Sequence, residues 1–256
     1  MEAFEQATLS CGLRVIYEHK PSAVLYCGYV VCAGTRHEDV ADSGMAHFIE
    51  HVTFKGTERR RACHITNGLE RVGGDLNAYT TKQETVYYAT VLKKDFARAA
   101  DLLTDIVFHS VYPQGEIDRE VEVICDEIDS YKDSPSELIF DEFEAMMFDG
   151  QPLGRDILGN AERLRQYTTA DALRFARNYY RPENAAFYVY GDVPFSQVVR
   201  TLERLLPVAD FAQRPAFVAP QMVIPCAQTH KNERMVEKGT HQAHVLVGGP
   251  TFAGTD

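Results

Sequence analysis

Short runs of apolar residues alternate with polar or glycine positions in several parts of the chain. Residues 13–19 and 23–34 are rich in Val and Tyr and are bounded by polar residues or glycine, a pattern typical of strands. Residues 73–92 predict two further strands joined by a polar turn, and residues 185–193 predict another. A last apolar run at residues 241–249 also predicts a strand, for which the sequence offers no remaining partner.

Other stretches have the period of helices, with apolar residues three and four positions apart. These stretches are residues 42–54, 94–108, 114–132, 135–148, 161–166, 169–179 and 195–206. Asp42 or Ser43 is the expected N-cap of the first helix, because both side chains can accept a hydrogen bond from a backbone N–H. The strands come mainly before the helices, which favours an α+β fold with a mostly antiparallel sheet and helices on one face.

The stretch after residue 207 differs in composition from the rest of the chain. Prolines recur there with little periodicity, so residues 208–235 are predicted to be a linker that follows a domain of residues 1–207. Residues 236–256 would then begin a further unit. The 256 residues, 45% of them hydrophobic, are sufficient for a sizeable core.

Composition and charge narrow the classes of function. The net charge of −11 argues against nucleic acid or an anionic membrane as the main partner. The first ten residues lack the basic and apolar regions of a secretory signal, and no apolar run is long enough to span a bilayer. Six scattered cysteines without CxxC spacing are typical of reduced thiols, so we expect a cytoplasmic protein.

The pentapeptide HFIEH at residues 47–51 carries the strongest chemical signal. His47 and His51 are four residues apart, so on a helix they lie about 40° from each other with Glu50 beside them. Two imidazoles one turn apart can bind one Zn²⁺, and a carboxylate next to them can take a proton from water. A catalytic zinc also requires a third protein ligand and one open position. The alternative is an ordinary polar helix face that happens to contain His and Glu.

The helix predicted at residues 114–132 offers two candidates for the third ligand. Glu120 and Glu127 are seven residues apart and lie within about 20° of each other, at one edge of the apolar stripe. A carboxylate at the margin of a core is partly desolvated, which suits a metal ligand. The spacing alone does not choose between the two glutamates.

Three stretches together resemble a known family. They are GMAHFIEHVTFKGT (44–57), LERVGGDLNAYTTKQETVYYATVL (69–92) and DREVEVICDEI (118–128). The first contains the inverted zinc motif H-x-x-E-H. In order and spacing they resemble the pitrilysin/insulinase family of zinc metallopeptidases, in particular its bacterial members that are similar to mitochondrial processing peptidase. The likeness runs from about residue 8 to the end of the chain and implies the α+β fold of that family (LuxS/metallohydrolase-like).

The resemblance implies a role for each matching residue. It makes His47, His51 and Glu127 the zinc ligands and Glu50 the general base. It makes Glu120 an acid behind the ligands that orients a liganding histidine.

Asn77 and Ala78 match the strand segment that grips the substrate backbone in that family. An exposed strand beside a metal can add an extended peptide by β-augmentation. Asn77 is equally compatible with a polar residue that satisfies a turn.

The implied function is that of a zinc endopeptidase acting on unfolded peptides or leader segments. Family members usually have two similar domains that close around the peptide, and the second supplies an Arg/Tyr pair. Residues 236–256 resemble only the first strand of that second domain, so we expect a second family-type domain or a partner chain; another copy of this chain is a further candidate partner. The alternatives are a non-catalytic, substrate-binding subunit of the same fold, a small-molecule metallohydrolase and a structural zinc domain.

Overall fold

The computed structural model describes residues 4–211, 217, 233–239 and 241–249. Six strands form one sheet. They are β1 (Glu5–Thr8), β2 (Arg14–His19), β3 (Val24–Val31), β4 (Asp75–Thr80), β5 (Thr85–Leu92) and β6 (Ala185–Gly191). Their order across the sheet is β1-β2-β6-β3-β5-β4, which places β4 at one edge.

All neighbouring strands in this sheet are antiparallel except β2 and β6, which are parallel. The exception follows from chain order, because β6 arrives after the helical part of the chain and inserts between β2 and β3. The predicted mostly antiparallel α+β class is therefore confirmed. Strand β1 was not predicted; it is short and mostly exposed, with no apolar run to indicate it.

Eight α-helices accompany the sheet in the part of the chain that the structure describes. They are α1 (Met45–Thr53), α2 (Ala62–Glu70), α3 (Phe96–Phe108), α4 (Gln114–Lys132), α5 (Pro135–Met147), α6 (Ala161–Leu164), α7 (Thr169–Tyr179) and α8 (Phe195–Leu205). The bounds of α4 and α7 are those predicted from periodicity. None of these helices has the combination of length and apolar character that crossing a bilayer requires.

The two faces of the sheet have different environments. On the face that the helices cover, alternate residues of β3 such as Leu25, Cys27 and Tyr29 are fully buried. On the opposite face, Tyr26 is 46% exposed and Ile16 is 41% exposed. The main core therefore lies between the sheet and the helices, and α1 and α4 are in contact at the end where β4 forms the edge.

The start of α1 differs from the prediction. Its N-cap is Gly44, with a left-handed φ of 81°, and neither Asp42 nor Ser43 caps the helix. The Asp42 carboxylate instead accepts a hydrogen bond from Arg174 Nη2 at 2.8 Å. The first N–H groups of α1 are satisfied by a side chain from further upstream, which a local pattern does not show.

The C-terminal prediction is corrected in part. Residues 241–249, predicted as a strand, have no regular secondary structure and make no pairing with the sheet. A strand requires a neighbouring strand that completes its backbone hydrogen bonds, and none of the six described strands pairs with this segment. Most of the predicted linker, residues 208–235, lies outside the described residues, so its bounds and the beginning of a second domain stay predictions.

The described cysteines are all free thiols. Cys11, Cys27 and Cys125 are buried, Cys32 is half-buried and Cys63 is exposed; Cys226 lies outside the described residues. Burial raises the pKa of the Cys27 thiol to about 12, so this group is an inert core residue.

Candidate metal centre

Helix α1 brings the two histidines of the HFIEH segment together. The His47 and His51 rings meet edge to face, with their centroids 4.6 Å apart. Phe48, Ile49 and Val52 point to the other side of the helix and are completely buried, so the core fixes the rotation of the helix about its axis. As a result the polar side of α1 faces α4.

Helix α4 places Glu127 opposite the histidines. Glu127 Oε2 lies 3.8 Å from His47 Nε2 and 3.4 Å from His51 Nε2. Two ligands bound at about 2.0–2.2 Å to one tetrahedral ion are about 3.4 Å apart, so these separations fit a shared cation. One ligand atom from each of the three side chains lies within 4.8 Å of the others. The structure thus brings together the three residues that the family resemblance implies as ligands.

The donor set agrees with the chemistry of zinc. Two imidazole nitrogens and one carboxylate oxygen are a combination found in catalytic zinc sites. Burial lowers the pKa of His47 to about 4, an effect that neighbouring His51 increases, and the ring is therefore neutral at pH 7. A neutral imidazole has the lone pair that a metal ion requires. The residues present therefore fit a zinc ion.

Glu120 lies behind His51 rather than beside the other two candidate ligands. His51 Nδ1 donates to Glu120 Oε1 at 3.0 Å, which leaves Nε2 directed toward Glu127. Lys55 Nζ donates to the other oxygen of Glu120 at 2.6 Å. The choice between Glu120 and Glu127, which spacing left open, is thus resolved geometrically: Glu127 faces both rings and Glu120 orients one of them.

The charges of this group depend on one another. Burial alone would lower the pKa of His51, but the hydrogen bonds to Glu120 and Glu127 outweigh it and raise the pKa to about 9. For Glu120, burial alone would raise the pKa, but the hydrogen bonds from His51 and Lys55 outweigh burial and lower the pKa below its usual value. His51 is therefore protonated in the metal-free protein, and an ion that binds Nε2 must displace that proton.

Glu50 is held by strand β4. Thr80 Oγ1, at the end of β4, donates to Glu50 Oε2 at 2.6 Å. Burial raises the pKa of the Glu50 carboxyl, and the hydrogen bond from Thr80 opposes this rise. The carboxylate lies on the same side of α1 as the histidines but is not among the three groups that converge, so it is available for proton transfer.

Asn77 and Ala78 lie on β4, at the open edge of the sheet. Asn77 is exposed and Ala78 is half-buried. The Ala78 N–H donates to Asn77 Oδ1 at 2.8 Å, so the Asn77 side chain covers one backbone donor of this edge. An extended peptide that pairs with β4 must displace this local hydrogen bond. The position of Asn77 is therefore compatible with both predicted roles, a contact with the substrate backbone and a residue that satisfies the local backbone.

Glu38 organises the start of α1 and was not recognised from the sequence. Its carboxylate accepts hydrogen bonds from the Gly44 N–H at 3.0 Å and from the Ala46 N–H at 2.8 Å. These are two of the N–H groups that a helix N-terminus leaves without intrahelical partners. Burial raises the pKa of Glu38 to about 8, against the effect of these two hydrogen bonds.

Lys55 and Thr80 were also missed. Lys55 lies just after the end of α1, four residues beyond His51, so extending the helical period by one more turn could have indicated it. Thr80 had no such signal, because its contact with Glu50 joins an edge strand to a helix thirty residues earlier.

Comparison with known proteins identifies the family of the chain. The family model described as "Insulinase (Peptidase family M16)" matches residues 14–161, and the model "Peptidase M16 inactive domain" matches residues 166–254. An uncharacterized zinc protease of Streptomyces coelicolor is 33% identical over 98% of this chain and 55% of its own length. A probable mitochondrial-processing peptidase subunit beta of Arabidopsis thaliana is 36% identical over 77% of this chain and 38% of its own length.

Solved structures show the same fold. A protease from Helicobacter pylori aligns with a TM-score of 0.76 and 23% identity, covering 89% of this chain and 54% of that chain. The periplasmic protease PqqL from Escherichia coli aligns with a TM-score of 0.78 and 21% identity, over 89% of this chain and 26% of that chain. The present chain spans about half the length of the uncharacterized zinc proteases that it matches. On its sequence match the chain belongs to the insulinase family, peptidase family M16.

Proposed function

We propose that the chain carries the catalytic centre of a zinc endopeptidase that hydrolyses peptide bonds in unfolded peptides or leader segments. The observation that carries this proposal is the convergence of His47, His51 and Glu127 on a single point beside Glu50. The relatives named zinc proteases support the metal at the level of the family. The unfolded nature of the substrate follows from the need to lay an extended chain along β4.

Each group has a chemical task in this proposal. Zinc held by His47, His51 and Glu127 would supply a Lewis acid and lower the pKa of a water molecule toward about 7. Glu50 Oε1, the oxygen that Thr80 does not bind, would be the atom that takes a proton from the attacking water and returns it to the leaving amide nitrogen. Glu120 keeps His51 Nδ1 protonated so that Nε2 remains directed at the centre.

Strand β4 would position the substrate. Its outer edge has no strand beside it among the described residues, and the sheet order leaves it open. A peptide that adds as a further strand near Asn77 and Ala78 would run past the end of β4 where Thr80 holds Glu50. The position of the scissile bond is thereby coupled to the register of the added strand.

The non-catalytic alternative makes a different demand on the site. A subunit that only binds substrate has no need for a base or for a complete set of ligands. Here the base and all three ligand candidates are present, and Glu50 is held by a specific hydrogen bond. A structural zinc site would use four protein ligands, typically rich in Cys, and no described cysteine joins the group.

Substitution of Glu50 by Gln tests the proposal. We expect Glu50→Gln to bind zinc in a 1:1 ratio like the unchanged protein and to lose peptide turnover by about 10²–10⁴-fold, because the amide cannot accept the proton. Metal content by mass spectrometry and cleavage of a quenched peptide measure the two properties. Exposed Glu122, which pairs with Arg165, provides the control Glu122→Gln with unchanged turnover. Equal turnover in the Glu50 variant and the unchanged protein would rule out the proposed mechanism.

A further inference from the structure

Thr80 reaches Glu50 from the helix-covered face of the sheet. It pairs across the β4–β5 ladder with Thr85, and the Thr85 side chain is completely buried on that face. The distance of 2.6 Å from Thr80 Oγ1 to Glu50 Oε2 is in the range of a strong hydroxyl–carboxylate hydrogen bond. Thr80 is therefore a direct neighbour of the proposed base although it belongs to a different element.

A second hydroxyl lies on the other side of Thr80 and cannot donate to it. Thr85 Oγ1 donates its only hydrogen to the Ala33 carbonyl oxygen at 2.7 Å. It lies 3.3 Å from Thr80 Oγ1 and can only accept there. Thr80 also has a single hydrogen, and the carboxylate at 2.6 Å is the closer and more basic acceptor. Thr80 thus donates to Glu50, while the core holds Thr85 in place behind it.

We propose that Thr80 is a positioning residue that fixes the rotamer of Glu50 and decides which of its oxygens takes the proton. Oε2 is occupied by the Thr80 hydroxyl, so Oε1 is left for the water. A glutamate side chain has three rotatable bonds, and without this contact it would spread over several rotamers. This inference rests on the proposed function, because it assigns a role within the same reaction.

Thr80 lies on the same strand as the proposed contact for the substrate backbone. Ala78, the proposed contact for the substrate backbone, lies two residues earlier on the same strand, with its side chain on the same face as that of Thr80. A strand is stiff over two residues when it is paired to its neighbour, as β4 is to β5. The same segment therefore sets the position of the peptide and the position of the base, so that the two stay in register.

Kinetics of Thr80 variants in the complete, zinc-loaded protein test the role. Thr80→Val keeps the shape of the side chain without its hydroxyl. We expect kcat to fall about 10- to 100-fold, which is less than the full contribution of a general base, while KM and zinc content stay unchanged. Thr80→Ser retains the hydroxyl and is expected to restore most of kcat. Thr90→Val on the outer face of β5 makes the same change in the same hairpin and should leave kcat unchanged.

A double-mutant cycle tests the contact without any turnover. Urea unfolding midpoints of the metal-free protein are compared for Thr80→Val, Glu50→Ala and the double variant. Residues in direct contact give non-additive effects, whereas Thr90→Val with Glu50→Ala should be additive. Additive midpoints for Thr80 and Glu50 would overturn the inference. Non-additive midpoints combined with an unchanged kcat in Thr80→Val would show that the contact exists but does not act in the reaction. That result would overturn the positioning role and leave the proposed function intact. If the complete, zinc-loaded protein cleaves no peptide, both the proposed function and the positioning role are overturned. The coupling between Thr80 and Glu50 in unfolding would still be measurable in that case.

Discussion

At the scale of single residues, the hydrogen bonds of Glu120 link the proposed metal centre to Lys55. Glu120 accepts from His51 Nδ1 at 3.0 Å and from Lys55 Nζ at 2.6 Å. We predict that Glu120→Ala weakens zinc binding about 10- to 100-fold, because His51 loses the partner that fixes its tautomer and ring orientation. Competition with a chromophoric chelator at constant pH measures the affinity. Glu122→Ala, an exposed position on the same helix, is the control. An unchanged affinity in Glu120→Ala would contradict the role assigned to this carboxylate.

Asp105 on α3 allows a prediction about pH and stability. Its side chain is fully enclosed and accepts hydrogen bonds from Arg60 Nη1 and Arg59 Nε, as well as from Thr57 Oγ1 at 2.7 Å. Burial would raise the pKa of this carboxyl, but these hydrogen bonds outweigh burial and lower it below its usual value of 3.8. The ionised form is therefore the one that the folded state favours.

The sign of the pH effect follows from this lowered pKa. The stabilisation is complete above the pKa of the unfolded state and is lost as the pH falls through the pKa of the folded state. Asp105→Asn should lower the free energy of unfolding by about 2 kcal/mol at pH 7, since the enclosed side chain loses its charge-assisted hydrogen bonds from the partly exposed Arg59 and Arg60. The difference from the unchanged protein should shrink below about pH 4.

Urea unfolding between pH 3 and pH 7 measures this difference. Asp101 on the same helix also pairs with Arg60, but its side chain is 32% exposed, so Asp101→Asn should cost under about 1 kcal/mol. Equal losses for the two variants at pH 7, or a loss for Asp105→Asn that does not change with pH, would show that the enclosed carboxylate is not the source of the effect.

The residues of the centre differ in how far the sequence predicts them. His47, Glu50 and His51 share one helical turn, so the period of the helix alone places them together. The spacing brought Glu120 and Glu127 to the same side of α4 but could not rank them; the resemblance to the family did, and the geometry places Glu127 opposite both rings. The role of Thr80 could not be predicted from the sequence. Its contact with Glu50 depends on how β4 packs against α1, and no periodic pattern in the sequence indicates that packing.

At the scale of elements, the start of α1 is fixed by a close approach of two glycines. Gly159 has a φ of +75°, and a Cβ built on it would come within 2.5 Å of Gly44 Cα. We predict that Gly159→Ala destabilises the protein by more than the about 1–2 kcal/mol that a left-handed residue costs by itself, since the loop must also move away from α1. Thermal or urea unfolding provides the measurement.

Gly150 is the matched control for this substitution. It has a similar φ of +71°, but nothing lies within 4 Å of a Cβ built there. Gly150→Ala should therefore show the backbone cost alone, about 1–2 kcal/mol. Similar losses in the two alanine variants would mean that the contact between Gly159 and Gly44 does not constrain the helix.

The elements also show where local patterns fail. Asp42 and Ser43 have the chemistry of N-caps, yet Glu38, further upstream, supplies the carboxylate that α1 uses. Glu38 can do so because the chain between it and the helix folds back through a short 3₁₀ turn at Val40–Asp42. The strand predicted at residues 241–249 is absent for a different reason: the apolar pattern is that of a strand, but none of the described strands pairs with this segment. The first error concerns a contact six to eight residues along the chain, and the second concerns a missing partner strand, so neither is visible in the pattern of the segment itself.

At the scale of the whole molecule, the chain is smaller than the proteins it resembles. It spans 55% of the zinc protease from Streptomyces coelicolor and 60% of one from Rickettsia felis. The candidate ligands of the proposed metal centre, His47, His51 and Glu127, all come from this chain. Its proposed substrate site is one strand edge, beside which the described residues place no further strand.

These facts lead to a prediction about the 256 residues by themselves. We predict that they bind zinc in a 1:1 ratio but cleave a quenched basic peptide weakly. Positioning of the substrate and exclusion of water are together worth several kcal/mol of barrier, about 3 kcal/mol or more, and both require a surface that closes over β4. Addition of the second family-type domain or of a partner chain should raise kcat/KM by about 100-fold or more, which is the same energy expressed as a rate. The Glu50→Gln variant, mixed with the same partner, should stay inactive. Turnover by residues 1–256 that equals the turnover of the complete assembly would show that β4 and α1 need no covering domain.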